Sequence, residues 1–569
     1  MGNDRFAVPE PPPLGFASAP PQPGFPQPGY PQPGHSWDSP HSQQPGYSGY
    51  PPAPQQGYPP QMGYPPHQGY PPQQGYNPQQ GYPPQYYGSP TGYGGPPPPP
   101  PPQPTQQTVN VVVNGGWYSR NQKNKPQSNA VGGAALIFIS GGMNIAWSIG
   151  FHGTLFYATD KHTFLAWFLG GIIGSVVSCF LTNKVAKKKV LIFSSALVMI
   201  GGIVVASTRN NGAANMAGSY LDGIANGLVF APFMALAGEV AVPYMRGLIS
   251  ASIEQMCYGL GIFVQIVYIS AWTYETYPSK NSFSPENMRG VLSAVYGLLA
   301  LIIGSLLCIE SPVIILATKN DEPGAIDALR RLQRPYTVTN ETFEQLAEHK
   351  RYLAHNKDLS LGQSICQAIP TFIRLMFLRG LNVLSINQFL YLTLLYSFVN
   401  WYGLSGSWAW LCGFGFCRWM GNFIATFSME SAGRKKPTVL GLLVCGVLAF
   451  VIAAQYNIMN YNTGNAIMVL VFEFFAGVAF TATSPYLAEA YPLGVKQHFI
   501  AFTFIAEMLI FIVIEMIDWD YTVGAEYFYA VGILYLIGFI FVILCLPETR
   551  RTNLREAQGK FSRFISTAF

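Results

Sequence analysis

The sequence predicts an all-α membrane protein that crosses the bilayer twelve times, in two sets of six. Three observations predict it: twelve apolar runs of near twenty residues, a charged-residue content of only 10%, and one polar stretch that divides the runs evenly. A typical soluble domain carries about 25% charged residues. A chain this poor in charge must be sheltered by lipid, where helices keep each backbone N–H and C=O bonded within the segment. The mild mean hydropathy of +0.20 averages two unlike materials, a polar N-terminal stretch and the apolar remainder.

The first set of runs falls at 131–151, 163–182, 189–207, 215–238, 248–271 and 290–309. The second falls at 379–402, 407–428, 437–456, 465–488, 498–517 and 526–546. The expected organisation is a tail at 1–128, a six-helix bundle at 129–312, a linker at 313–373, a second bundle at 374–548 and a C-terminal tail at 549–569. Within the linker, EPGAIDALRRLQ and NETFEQLAEHKRYLA read as short amphipathic helices lying under the bundle.

Residues 1–128 are rich in Pro, Gly, Gln and Tyr, and a hexapeptide keeps Tyr58, Tyr64, Tyr70, Tyr76 and Tyr82 in strict register. With aliphatic residues nearly absent, this segment cannot bury enough surface to offset its conformational entropy. It is expected to be disordered with a polyproline-II bias. The prolines Pro96–Pro102 suit SH3-, EVH1- or profilin-type aromatic grooves, and Pro83-Pro84-Gln85-Tyr86 has the PPxY form taken by WW domains. A solvated tail without a dedicated partner is the alternative.

Loop charges set the expected orientation. Lys184, Lys187, Lys188, Lys189, Arg246, Arg434, Lys435, Lys436 and Lys496 lie between runs on one side, with the basic linker. The other side holds few bases (Lys161, Arg209, Lys280, Arg289) and the acids Asp160, Glu275, Glu286, Asp518, Asp520 and Glu526. The bias places both termini in the cytosol, most simply at the plasma membrane. The opening MGNDRFAVPEPPPLG has no apolar stretch, so the first span is expected to act as its own insertion signal. Of eight cysteines, seven lie in or beside apolar runs and Cys366 lies in the linker; none has metal-ligand spacing. No nucleophile elbow or phosphate loop occurs, so no enzyme activity, metal or cofactor is expected. A dispersed net charge of +5 gives no footprint for nucleic acid.

After the fourth run comes Glu239-Val-Ala-Val-Pro-Tyr-Met-Arg246-Gly247, and after the tenth Glu489-Ala-Tyr-Pro492-Leu-Gly-Val-Lys496. In both, an acid at a helix end precedes a base by seven residues, so the halves repeat one another. Glu430-Ser-Ala-Gly433-Arg434-Lys435-Lys436 follows the eighth run, Glu310-Ser311-Pro312 the sixth and Pro547-Glu548-Thr549-Arg550 the twelfth. Together, over about residues 131–556, these resemble the sugar-porter branch of the major facilitator superfamily. The resemblance implies the major facilitator fold and alternating access. It also implies a gating network of Glu239, Arg246, Glu430, Arg434, Glu489, Lys496 and Glu548 that holds the outward-facing state. Acids and bases at helix ends pair when the two halves close. The family's first-half loop motif departs here, with Asn183 at its Asp position.

For the substrate cavity, the resemblance singles out Gln255 and Gln265 in the fifth run, where a sugar-binding Gln and its neighbour occur. In the seventh run, Asn382-Val-Leu-Ser-Ile386-Asn387 resembles Q-L-S-G-I-N, with Tyr391 four residues on. In the tenth, Ser484 stands where the family has a stacking Trp, which puts hexose specificity in question. Arg418 and Glu507 stand at cavity positions where the family carries Asn, and Glu515 lies on the same face as Glu507. Ionisable residues inside the membrane default to a functional role. A pairing of Arg418 with Glu507 is expected, serving either as a fixed structural link or in recognition of a charged or zwitterionic solute. Phe398-Val-Asn-Trp-Tyr402-Gly403-Leu404-Ser405 is similar to the Y-Y-G-L-S of organic-ion transporters. Asn144 replaces the Asp of proton-coupled sugar porters, so facilitated diffusion is the simpler reading, with Glu507 or Asp222 as the alternative proton carriers. Three functions remain open: a facilitative sugar or polyol carrier, an organic-ion carrier, and a transporter-derived sensor or scaffold.

Overall fold

The computed structural model describes residues 116–152, 161–208, 211–271, 283–406, 408–456, 463–518 and 521–563. The tyrosine repeat, the PPxY sequence and the proline run lie outside the described residues, as do the side chains of Phe398–Ser405. Nineteen helices are present among the described residues, and no strand. The first half holds α1 (Trp117–Ser148), α2 (Lys161–Leu181), α3 (Lys187–Ser207), α4 (Gly212–Val240), α5 (Arg246–Ile253), α6 (Gln255–Ala271) and α7 (Pro285–Leu307). Three short helices follow: α8 (Pro312–Lys319), α9 (Glu322–Arg331) and α10 (Asn340–Lys357). The second half holds α11 (Leu361–Val383), α12 (Gln388–Gly406), α13 (Trp408–Ala432), α14 (Lys435–Ala454), α15 (Thr463–Phe480), α16 (Thr483–Ala490), α17 (Lys496–Met516) and α18 (Tyr521–Cys545), with α19 (Leu554–Ser562) beyond them.

Eleven segments among the described residues are long and apolar enough to cross a membrane. The twelfth span is α13, whose 25 residues reach about 37 Å, enough for a ~30 Å hydrocarbon core. Its low apolarity has a cause: Arg418 and Asn422 point inward and are buried. Three spans are broken. Span five divides at Glu254 into α5 and α6, span seven at 384–387 into α11 and α12, and span ten at 481–482 into α15 and α16. A break frees backbone groups that lipid cannot satisfy, so breaks are tolerated where protein or a cavity receives them.

Helices within each half approach closely through small residues. A Cβ on Gly174 of α2 would lie 2.2 Å from the Ile224 carbonyl oxygen of α4, and one on Gly227 of α4 would lie 2.2 Å from the Gly171 carbonyl oxygen. In lipid there is little hydrophobic drive between helices, so close backbone packing of this kind holds them together. Between the halves, α2 and α4 meet α17, and α6 meets α13. Outward-facing apolar side chains such as Phe193, Ile203, Val513 and Ile540 form the lipid belt.

The α1 helix starts at Trp117, eleven residues ahead of the tail boundary expected at 128, because its first turns are held by polar contacts rather than lipid. Asn124 Nδ2 donates to the Tyr244 hydroxyl at 2.9 Å, Gln127 Oε1 accepts from Val242 N at 3.1 Å, and Lys123 pairs with Glu341 of α10. The two helices read from the linker are α9 and α10, and α10 also reaches the second half, where Asn356 Oδ1 accepts from Leu493 N at 2.9 Å. Gly227→Leu is expected to separate α2 from α4. Size-exclusion chromatography in mild detergent checks it: the wild-type chain elutes as one symmetric peak and the variant as aggregate.

Candidate functional site

Two polar layers stand out, one at the face that carries the linker and α19 and one in the middle of the bundle. At the linker face, Glu239 at the end of α4 accepts from Lys187 Nζ at 2.9 Å and faces Lys496 Nζ of α17 at 3.9 Å, all three buried. In the second half, Glu489 at the end of α16 accepts from Arg434 Nη2 at 2.7 Å. The two turns match as well: Met245 N donates to Val242 O at 2.9 Å, and Val495 N to Pro492 O at 3.2 Å. Arg246 donates to Gly238 O, Ala241 O and, across the halves, Thr552 O at 3.0 Å. Gly247 N donates to Glu430 Oε1 at 3.1 Å, a second contact between halves. Glu548 caps α14, accepting from the backbone N–H of Arg434 at 2.9 Å and Lys435 at 3.0 Å. Gly433 at φ +85° lets it approach, since a Cβ there would lie 2.5 Å from Glu548 Oε2. All seven residues read as gating thus meet in one layer at the linker face.

The middle layer forms where the three broken spans converge. Glu254, in the break of span five, accepts from Arg379 Nη1 at 2.8 Å and from the Ser484 hydroxyl at the start of α16. Arg379 Nη1 also reaches Glu507 Oε1 of α17 at 3.5 Å. Asn382 links two charge pairs: its Nδ2 donates to Glu507 at 3.2 Å and its Oδ1 accepts from Arg418 Nη2 at 2.6 Å. Arg418 continues to Ser385 Oγ at 2.7 Å and Glu473 Oε2 at 3.4 Å. Arg379 and Arg418 are 1% exposed, yet Arg379 Nε and Nη2 and Arg418 Nε have no acceptor among the described residues. They surround a cavity that Gln255, Tyr258, Asn422 and Phe504 also line. Its free volume is about 30 Å³, room for a water or two and far less than a hexose needs. Beyond it, at the opposite face, Phe151 packs edge-on to Tyr391 at 4.7 Å, Phe168 stacks on Phe511 at 4.7 Å, and Lys161 pairs with Asp518 at 2.5 Å. Contacts between the halves thus lie on both sides of the polar cavity.

Residues 111–561 match the family model described as sugar (and other) transporter. The chain belongs to the sugar transporter family. Similar proteins include the cattle (Bos taurus) solute carrier family 2, facilitated glucose transporter member 4, 24% identical over 69% of this chain and 78% of that one. A putative metabolite transport protein of Bacillus subtilis, YwtG, is 25% identical over 68% of this chain and 84% of its own. In fold, the chain is similar to the E. coli proton:xylose symporter XylE bound to 6-bromo-6-deoxy-D-glucose, with a TM-score of 0.61, 14% identity, and coverage of 76% of this chain and 99% of that one. This transporter therefore has the twelve-helix major facilitator fold and works by alternating access.

The transporter's predicted substrate residues divide into two groups. Gln255, Asn382, Arg418, Ser484 and Glu507 line or brace the central cavity. Gln265, Asn387 and Tyr391 lie apart from it. Gln265 Nε2 donates to Phe151 O at 2.9 Å, Asn387 bonds the Val383 carbonyl and the Tyr527 hydroxyl at the break before α12, and Tyr391 packs on Phe151. Arg418 and Glu507 do not pair directly. Each has a nearer partner, Glu473 for Arg418 and Arg379 for Glu507, and Asn382 stands between them. Glu515 accepts instead from Gln388 N at 3.3 Å.

Glu254, Arg379 and Glu473 escaped the sequence reading. Glu254 and Glu473 carried a usable signal, an acid inside an apolar run, whereas Arg379 sits at the edge of its run, where headgroup contact is the natural inference. Arg289, counted among loop bases, is instead 2% exposed, stacked over Trp147 at 4.3 Å and donating to Asn144 Oδ1 at 2.9 Å. The span there begins at Pro285, so the base lies one turn inside it. Asp222, nearby, accepts from Trp167 Nε1 at 2.8 Å and Asn226 Nδ2 at 2.9 Å.

Removing one partner of a buried ion pair leaves an uncompensated charge and costs about 3–5 kcal/mol. Arg379→Gln is therefore expected to destabilise the protein by about that much, and the double variant with Glu254→Gln by markedly less. Thermal denaturation of the four forms of this cycle measures the coupling. On α10, burial and the neighbouring Arg246 push the His349 imidazole down to about 4. Unfolded histidine titrates near 6.5, so the unfolded chain gains a proton first. Stability is complete above that pH and is lost as pH falls from about 6.5 toward 4. The Tm difference between wild type and His349→Gln should shrink or change sign over that window.

Proposed function

We propose that this transporter is a facilitative carrier of a small polyhydroxy solute, a sugar or polyol. It works at the plasma membrane with both termini cytosolic and carries out no chemical transformation. One observation carries the reading: the central cavity sets unused guanidinium N–H donors of Arg379 and Arg418 beside the carboxylates of Glu254 and Glu507. A hydroxyl group is both acceptor and donor, so a polyol can take an Arg N–H and give its own proton to a Glu. The lining charges, two acids and two bases, balance, which suits a neutral guest. The similar proteins described as glucose and xylose transporters agree with a solute of this kind. The excess of Lys and Arg at the linker face supports the cytosolic placement of the termini.

A second reading, a charged or zwitterionic solute, rests on the same free guanidinium groups, which would also accept a carboxylate. Asn144 at a position that is acidic in proton-coupled relatives supports uniport. For the tail, we propose capture of an SH3-, WW- or profilin-type domain by its proline sequences.

Uptake into proteoliposomes loaded with the full chain tests the reading, using labelled hexoses and pentoses, an organic cation and an organic anion. Saturable sugar uptake is expected, inhibited by unlabelled sugar and insensitive to a pH gradient. Arg418→Gln should cut it about tenfold or more, since a hydrogen bond to a charged group is worth about 1.5–3 kcal/mol. Uptake of an ion but of no sugar would replace this reading with the second.

A further inference from the structure

A second cavity, of about 440 Å³, opens at the linker face of the first half. It lies where α2 ends at Leu181, α3 begins at Lys187 and α7 gives way to α8, so it sits at the level where spans leave the hydrocarbon. Its lining is of two kinds. Lys184, Lys187, Lys188 and Lys319 bring four ammonium groups against the single acid Glu310, and Leu181, Val190, Ile314 and Ile315 form an apolar wall. Lys187 is committed to Glu239. Lys184, Lys188 and Lys319 have no ion pair among the described residues. The Ser178 hydroxyl, in a residue 2% exposed, lines the same cavity and has no hydrogen-bond partner there. Unpaired cations and a buried, unused hydroxyl call for an anion rich in acceptor oxygens. The apolar wall, with Phe180 and Leu306 turned outward beside it, calls for one that carries hydrocarbon.

We propose that this cavity binds the phosphate headgroup of an anionic phospholipid. Lys184, Lys188, Lys319 and Ser178 hold the phosphate oxygens, and the acyl chains run down the lipid belt past Phe180 and Leu306. The site touches the gate, because Lys187 lines it and Gln497, one residue beyond Lys496, comes from the second half. Three unpaired ammonium groups beside Lys187 repel it. A bound phosphate cancels that repulsion and leaves Lys187 free to hold Glu239, so the lipid favours the closed linker-face gate. This holds whatever solute the central cavity carries.

The test uses the purified full chain in nanodiscs of phosphatidylcholine alone or phosphatidylcholine with phosphatidic acid, with inorganic phosphate in solution as a separate arm. The expected result is phosphatidic acid retained in native mass spectra and a higher Tm in the mixed discs. Each lysine neutralised near the surface should weaken retention roughly fivefold, from about 1 kcal/mol per charge. Lys184→Gln with Lys188→Gln and Lys319→Gln should therefore abolish both effects. The corresponding Arg substitutions, which keep the charge, should preserve them, and Ser178→Ala should weaken retention with all lysines present. Two results would overturn the proposal: the Gln variant retaining lipid and Tm gain like wild type, or inorganic phosphate reproducing the full gain, which would make the site one for a soluble anion.

Discussion

Arg379 keeps its charge in the middle of a membrane domain because Glu254 of the other half lies 2.8 Å away. Neither group is more than 1% exposed, so neither can fall back on water. Separating them without a substitute would strand two charges in a low-dielectric interior, at a cost of several kcal/mol. The halves are thus tied at the centre, beside the polar cavity. The broken spans follow from the same constraint. Glu254 lies in the break of span five, Asn382 precedes and Ser385 lies within that of span seven, and Ser484 follows that of span ten. Each break places a side chain or a freed backbone group where the charge network needs a partner, and nowhere facing lipid.

The described contacts between the halves at the two faces that flank this centre differ in burial. At the linker face, Glu239 with Lys496 and Arg246 with the Thr552 carbonyl join the halves in buried surroundings, and Gly247 with Glu430 in partly buried ones. At the opposite face, the ion pair Lys161–Asp518 is 48% and 91% exposed, and exposed pairs are worth about 0–1 kcal/mol. Among the described residues, Lys161 Nζ also donates to the Met516 carbonyl at 3.2 Å, and Phe151 packs on Tyr391 and Phe168 on Phe511. Aromatic pairs add about 0.5–1.5 kcal/mol each beyond area burial.

The spans were legible because a bilayer admits only long apolar helices or closed barrels, and a run of twenty apolar residues declares the first. The charge layer at the linker face was legible because its charges recur at fixed offsets from helix ends in both halves. Pairing in the cavity was not. Arg379 meets Glu254 across 125 residues, and the choice between Glu473 and Glu507 for Arg418 depends on how three breaks rotate their helices. Residue spacing within one helix carries no such information. Arg289 misled for a related reason: a base near a helix start reads as a loop charge, and only the packing of Trp147 and Asn144 around it shows that it turns inward.

The Asn at position 183 of the first-half loop motif leaves the charge contact at the linker face standing. Lys187 starts α3 as Arg434 heads α14, and each holds the acid that ends the neighbouring span, Glu239 or Glu489. The pairs are unequal, however. Arginine offers a rigid fork that holds a carboxylate in one orientation, while lysine is a point charge on a flexible stem. Glu239 is also shared between Lys187 and the more distant Lys496, whereas Arg434 is its acid's single ion-pair partner among the described residues. The first-half contact is therefore the softer of the two, and the one more readily moved by charge placed beside it. The lysine-lined cavity at the bilayer edge lies against that softer contact.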